Sequence, residues 1–216
     1  MKNLLKLFTV LTLVLAVSAG AYAKAPRLSA KEREKIEKAN QKEAKKLAKQ
    51  MKKEGWKFEQ TGLPENIIAD YLDKQKIEGL EGYEESAENS ASRSKARAYI
   101  KTKAANTYAQ EQSQVFKGRL NGMEDGNEED ADEKFVKQWE GRYAMEVAGL
   151  LKVGYSIYKK NDNGTVDMEI HFLIDPEGAH QAKLAATKYA IEKQKLNQEW
   201  ADRISEALSD IDTDDL

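Results

Sequence analysis

The chain has two histidines and no cysteine among its 216 residues. His171 follows Glu169 by two residues and Asp167 by four, in a run that alternates polar and apolar side chains. In an extended strand, residues two apart point the same way, so these three share one face. A carboxylate–imidazole set of this kind can hold a divalent metal ion. The same residue types also make the less buried side of a sheet, and the sequence favours that reading. His180 has no second histidine four residues on. Without cysteine there is neither a thiol nucleophile nor a thiolate metal site. GxSxG, P-loop and HExxH motifs are missing as well. The expectation is therefore no catalytic residue, no cofactor and no metal, hence no enzyme.

Two acidic runs could attract calcium. One is Asp210, Asp212, Asp214 and Asp215, and the other opens at Asp125-Gly126-Asn127. Both lack the glycine at position 6 and the glutamate at position 12 of an EF-hand loop. Asn163-Gly164-Thr165 matches a glycosylation acceptor, but a tight turn already explains its Asn and Gly.

That turn belongs to the stretch on which the chain is organised. Leu151, Val153, Tyr155 and Ile157 share one parity before Asn161-Asp162-Asn163-Gly164. Val166, Met168, Ile170, Phe172 and Ile174 share one parity after it. Each run offers an apolar face, and Asn and Gly accept the positive φ of a hairpin turn. A β-hairpin is expected over about 151–174.

Helical patterns surround it. Residues 25–54 read as a long charged helix opened by Ser29 and Glu32, an S-x-x-E capping box, and closed by Gly55. Its apolar stripe is thin: Ile36, Ala39, Ala44, Leu47, Ala48 and Met51. Residues 24–54 carry 12 Lys/Arg against 5 Asp/Glu. A solvated helix and a basic arm for anionic lipid, cell-wall polymer or an acidic partner both fit this balance. Trp56-Lys57-Phe58 suits a short strand, and Pro64 opens a helix bearing Ile67, Ile68, Tyr71 and Leu72. Residues 79–92, with Gly79, Gly82 and many Ser, Glu and Asn, read as a loop. An Ala-rich helix over 93–120 shows Ala96, Ile100, Ala104, Tyr108 and Val115, with Ala98, Ala105 and Ala109 beside them. Phe135, Trp139, Tyr143, Val147 and Leu150, flanked by Val136 and Met145, mark a helix over 132–149. A last helix starts at Pro176 and runs to about residue 208. Its expected face is Leu184, Tyr189, Ile191, Leu196, Trp200, Ile204 and Leu208.

The first 23 residues have the form of a secretory leader. Lys2 and Lys6 precede an apolar run from Leu7 to Ala16, and Ala21-Tyr22-Ala23 is an A-x-A cleavage site. The run is too short for a stable membrane span. Cleavage near Ala23 would remove two lysines and take the net charge from −2 to −4. An acidic, exported chain is not expected to bind nucleic acid. With no disulfide framework, stability rests on the core.

The helix Ser94-Lys95-Ala96-Arg97-Ala98-Tyr99-Ile100, running on to Ala109-Gln110-Glu111-Gln112, resembles a motif of bacterial envelope proteins. These are the twenty-kilodalton outer-membrane lipoprotein family and the amino-terminal domain of the flagellar T-ring protein. Leu150-Leu151-Lys152-Val153-Gly154-Tyr155 and Asn163-Gly164-Thr165-Val166-Asp167-Met168-Glu169-Ile170 look like the hairpin that follows that helix. The resemblance covers about 93–174. The chain departs from it by lacking the lipid-bearing cysteine and by adding the first and last helices. It implies an α/β envelope domain without catalytic residues, and it carries over no site.

The sequence thus predicts a leader (1–23), a basic helix (24–54), an α+β domain (55–209) and an acidic tail (210–216). The domain is a small antiparallel sheet packed on one side by three or four helices. The expected function is that of a periplasmic or secreted, non-enzymatic protein. It would act by contacts with an envelope protein or an anionic surface, membrane or cell wall, with no transmembrane segment in the mature chain. The alternative is a periplasmic small-ligand or metal-binding module, which would use a pocket between helices and sheet and predicts a polar-lined cavity or a bound ion near His171.

Overall fold

In the computed structural model, residues 28–122 and 129–194 are described. They fold as α1 (Ala30–Lys53), β1 (Lys57–Phe58), α2 (Pro64–Lys76), β2 (Glu81–Ser90), α3 (Arg93–Gly122), α4 (Glu129–Ala148), β3 (Lys152–Lys160), β4 (Val166–Ile174) and α5 (Pro176–Gln194). The strands make one antiparallel sheet in the order β1-β3-β4-β2. An α+β fold centred on the β3–β4 hairpin is what the alternation and the Asn-Gly turn predict. Gly164 takes φ +82° in that turn, and the Asn161 N–H closes it on the Thr165 carbonyl at 2.9 Å. No described helix is long and apolar enough to cross a membrane.

Helices cover both faces of the sheet rather than one. On the first face Met168, Ile170 and Phe172 of β4 meet Ala96, Ile100 and Ala104 of α3. The alanines let that helix lie close to the strands. On the second face Tyr155, Ile157 and Leu173 meet Ile68, Tyr71 and Leu72 of α2, and α1 adds Ala44, Leu47, Ala48 and Met51. The thin stripe of α1 therefore belongs to the core. Its N-terminus has the expected capping box, with Ser29 and Glu32 exchanging hydrogen bonds. Buried Asn40 ties it to α2, donating to Asp73 and accepting from Lys76. This helix and the sheet belong to one compact unit.

Three further expectations give way. Residues 81–90 are strand β2, not loop, because the edge of β4 supplies hydrogen-bond partners that outweigh the weak β propensity of Glu, Ser and Gly. The apolar parity of β3 is broken at Gly154, which is extra in the pairing: Val153 pairs with Phe172, and Tyr155 with His171. This bulge puts Leu151 on the α3 face and Tyr155 and Ile157 on the α2 face. On α5 the buried face is small: Ala179, Ala182, Ala186, Thr187 and Ala190. Leu184 and Tyr189 are exposed instead, and Tyr189 carries the Arg142 guanidinium on its ring. Single side chains shift likewise, with Phe116 rather than Val115 buried on α3, and Met145 exposed on α4. The leader, the acidic run at 125–127, the end of the last helix and the tail lie outside the described residues.

Candidate metal centre

The three long strands bring their polar parity together beneath α2. Glu169 and His171 are two apart on the central strand β4. Glu84 of β2 and Tyr155 of β3 are both direct cross-strand partners of His171, so all four side chains share a face. The Tyr155 ring lies flat against the imidazole, with centroids 4.0 Å apart and planes at 17°. Tyr71 of α2 meets the imidazole edge-on at 5.7 Å, and its hydroxyl donates to the Phe172 carbonyl at 3.3 Å. Two glycines admit this helix. A Cβ at Gly154 would stand 2.4 Å from the Tyr71 ring, and one at Gly82 would stand 1.7 Å from the Gln75 amide. His171 is consequently only 5% exposed.

Its nitrogens face the two carboxylates. Nδ1 is 3.6 Å from Glu84 Oε2, and Nε2 is 2.6 Å from Glu169 Oε1. The first separation is too long for a hydrogen bond. The second is close but lies off the line of the ring N–H, so Nε2 is buried without a hydrogen bond. The glutamates also reach each other. Burial pushes the Glu84 carboxyl up to about 7, and its contact with Glu169 adds to that rise, while the nearby imidazole opposes it. One donor atom from each of Glu84, Glu169 and His171 lies within 4.8 Å of the others. The opposite face differs: Glu85 has Lys103 at 2.7 Å, and Glu81 accepts from the Tyr108 hydroxyl at 2.9 Å.

This donor set fits a divalent first-row metal ion. Two carboxylate oxygens and one imidazole nitrogen suit Zn²⁺, Mn²⁺ or Fe²⁺, and three protein ligands leave a position open. One ion can use only one ring nitrogen, and Nε2 is the one nearer a carboxylate and fully buried. A dication would compete with the proton that burial favours on Glu84.

Of the sequence trio, the fold keeps Glu169 and His171 together and sends Asp167 elsewhere. Asp167 accepts from the Asn89 N–H and the Asn161 amide, both at 2.8 Å, and so anchors the hairpin end. His180 sits on α5, which packs against α4. Asn163 accepts from Thr165 within the turn. The partner that sequence reasoning missed is Glu84. The signal available for it was the alternation of Tyr83, Glu85 and Ala87 with Glu84 and Ser86. No protein-family model, curated protein or solved structure matches the chain, so function is argued from this geometry.

Proposed function

We propose that the protein is an exported, non-enzymatic module that binds a divalent transition-metal ion through Glu84, Glu169 and His171. The observation that carries this reading is the buried Nε2 of His171, without a hydrogen bond beside two carboxylates in contact. A buried ring nitrogen that makes no hydrogen bond is costly, and so is crowding two carboxyl groups out of water beside one imidazole. Binding an ion relieves both. The Tyr155 and Tyr71 rings hold the imidazole in place and keep the surroundings apolar, which favours retention of an ion. The export half of the proposal rests on the leader expected at 1–23.

The test is calorimetric titration of the metal-stripped chain with Zn²⁺. One equivalent is expected to bind the wild type, and His171→Ala and Glu169→Gln are expected to lose stoichiometric uptake. A wild type that takes up no ion, or a His171→Ala variant that takes up as much, would make the cluster a structural triad of charges instead.

A further inference from the structure

The side of α1 turned away from the core carries a ridge of lysines. Lys31, Lys35, Lys38, Lys42, Lys45 and Lys49 follow one another in alternating steps of four and three, the spacing of one helix face. That face is opposite the side bearing Asn40, Ala44, Leu47 and Met51, which packs on α2. All six lysines are exposed. From Lys31 to Lys49 the ridge is about 27 Å long at 1.5 Å per residue. Acidic relief is sparse along it. Glu34 pairs with Lys38 at 2.5 Å, between two exposed side chains. Glu43 turns to the flank and pairs with Lys76 of α2. Between Lys38 and Lys53 the helix has seven lysines and no acid other than Glu43.

Like charges at this spacing repel, so the ridge works against the helix that carries it. An anionic partner removes that conflict. We propose that the outer face of α1 docks on an anionic lipid bilayer, independently of the metal centre. The chemistry of the ridge selects this partner. It is built of lysine alone, and the one arginine of the helix, Arg33, falls on the core-facing side by helical spacing. Lysine is a hydrated point charge, responsive to the diffuse negative potential of a membrane surface; arginine is the residue that reads single phosphate or sulfate groups bidentately. None of the exposed large apolar side chains lies on α1, so the contact is peripheral and does not insert.

The experiment compares the wild-type chain with a Lys35→Gln, Lys42→Gln, Lys45→Gln, Lys49→Gln variant. A charge-matched control carries Lys95→Gln, Lys101→Gln, Lys117→Gln and Lys188→Gln. Glutamine keeps helix propensity close to that of lysine, and circular dichroism checks that each variant is folded. Each protein is sedimented with phosphatidylcholine vesicles, with and without phosphatidylglycerol. Salt is set at about 0.1 M and at about 0.5 M, where screening becomes strong. The expected result is salt-sensitive binding to the anionic vesicles alone, weakened about tenfold or more in the ridge variant and little in the control. Equal loss in ridge variant and control would reduce the effect to net charge and overturn the proposal. So would unchanged binding in the ridge variant. Ridge-dependent binding to soluble polyphosphate with none to vesicles would reassign the face to a linear polyanion.

Discussion

Gly154 shows how one residue sets the geometry of the centre. It is the extra residue of the β3 bulge, and the space its missing side chain leaves is filled by Tyr71. The Tyr71 ring in turn bounds the imidazole of His171. Gly154→Ala would drive a methyl group to 2.4 Å and 2.8 Å from two ring carbons and 3.2 Å from the His171 carbonyl. Tyr71 is part of a packed core and cannot swing away freely, so overpacking should cost about 1–3 kcal/mol. Denaturant melts of Gly154→Ala are the check. In a Tyr71→Ala background the obstacle is gone, and the same substitution is expected to cost about 0.5 kcal/mol or less. Equal costs in both backgrounds would separate the bulge from the aromatic packing. The residue scale also shows why Glu169 and His171 were readable as a pair while their burial was not. A period of two places them on one face, but only tertiary contacts decide whether that face meets water or α2.

Among the elements, legibility tracks the strength of the local signal. The capping box of α1, the Pro64 start of α2, the aromatic stripe of α4 and the turn of the hairpin are written in short-range chemistry, and they fold as read. Strand β2 is not, because Glu-Gly-Tyr-Glu-Glu-Ser has little intrinsic preference for extended structure, and its pairing with β4 is long-range. Missing that strand meant missing Glu84, and with it the third residue of the candidate centre. The buried face of α5 escaped for another reason: close packing there selects alanine, while the eye follows leucine and tyrosine. The first helix makes the same point. Its apolar stripe looks too thin to matter, yet Ala44 is fully buried, and Leu47, Ala48 and Met51 pack on the α2 core. Beginning the chain at Gly55 would uncover Ile68 and Leu72 and strip Asp73 and Lys76 of Asn40. Each large apolar side chain exposed costs about 1.5–3 kcal/mol. The shortened chain is therefore expected to melt far below the parent or not to fold, as thermal unfolding followed by circular dichroism would show. An unchanged melt would mean that the helix rests on α2 without supporting it.

At the scale of the whole molecule, β4 is the shared wall of two cores. Its even positions Met168, Ile170 and Phe172 face α3, and its odd positions Glu169, His171 and Leu173 face α2. The candidate centre sits on the second side and links this central strand to the edge strand β2 through Glu84. An ion held there would cross-link strands drawn from distant parts of the chain, and the unfolded chain would have no such preformed site. Its binding energy therefore adds to folding stability. At a free Zn²⁺ concentration about 100 times Kd the gain is about 2.7 kcal/mol. For a domain of this size that corresponds to a rise in Tm of about 5–10 °C. Thermal melts with Zn²⁺ and then with a chelator should show the rise and its reversal in the wild type. His171→Ala, which removes the assigned nitrogen, should melt at the same temperature with or without the ion. A zinc-dependent rise that persists in His171→Ala would place the stabilising ion at other ligands, and the sheet centre would lose its claim to the metal.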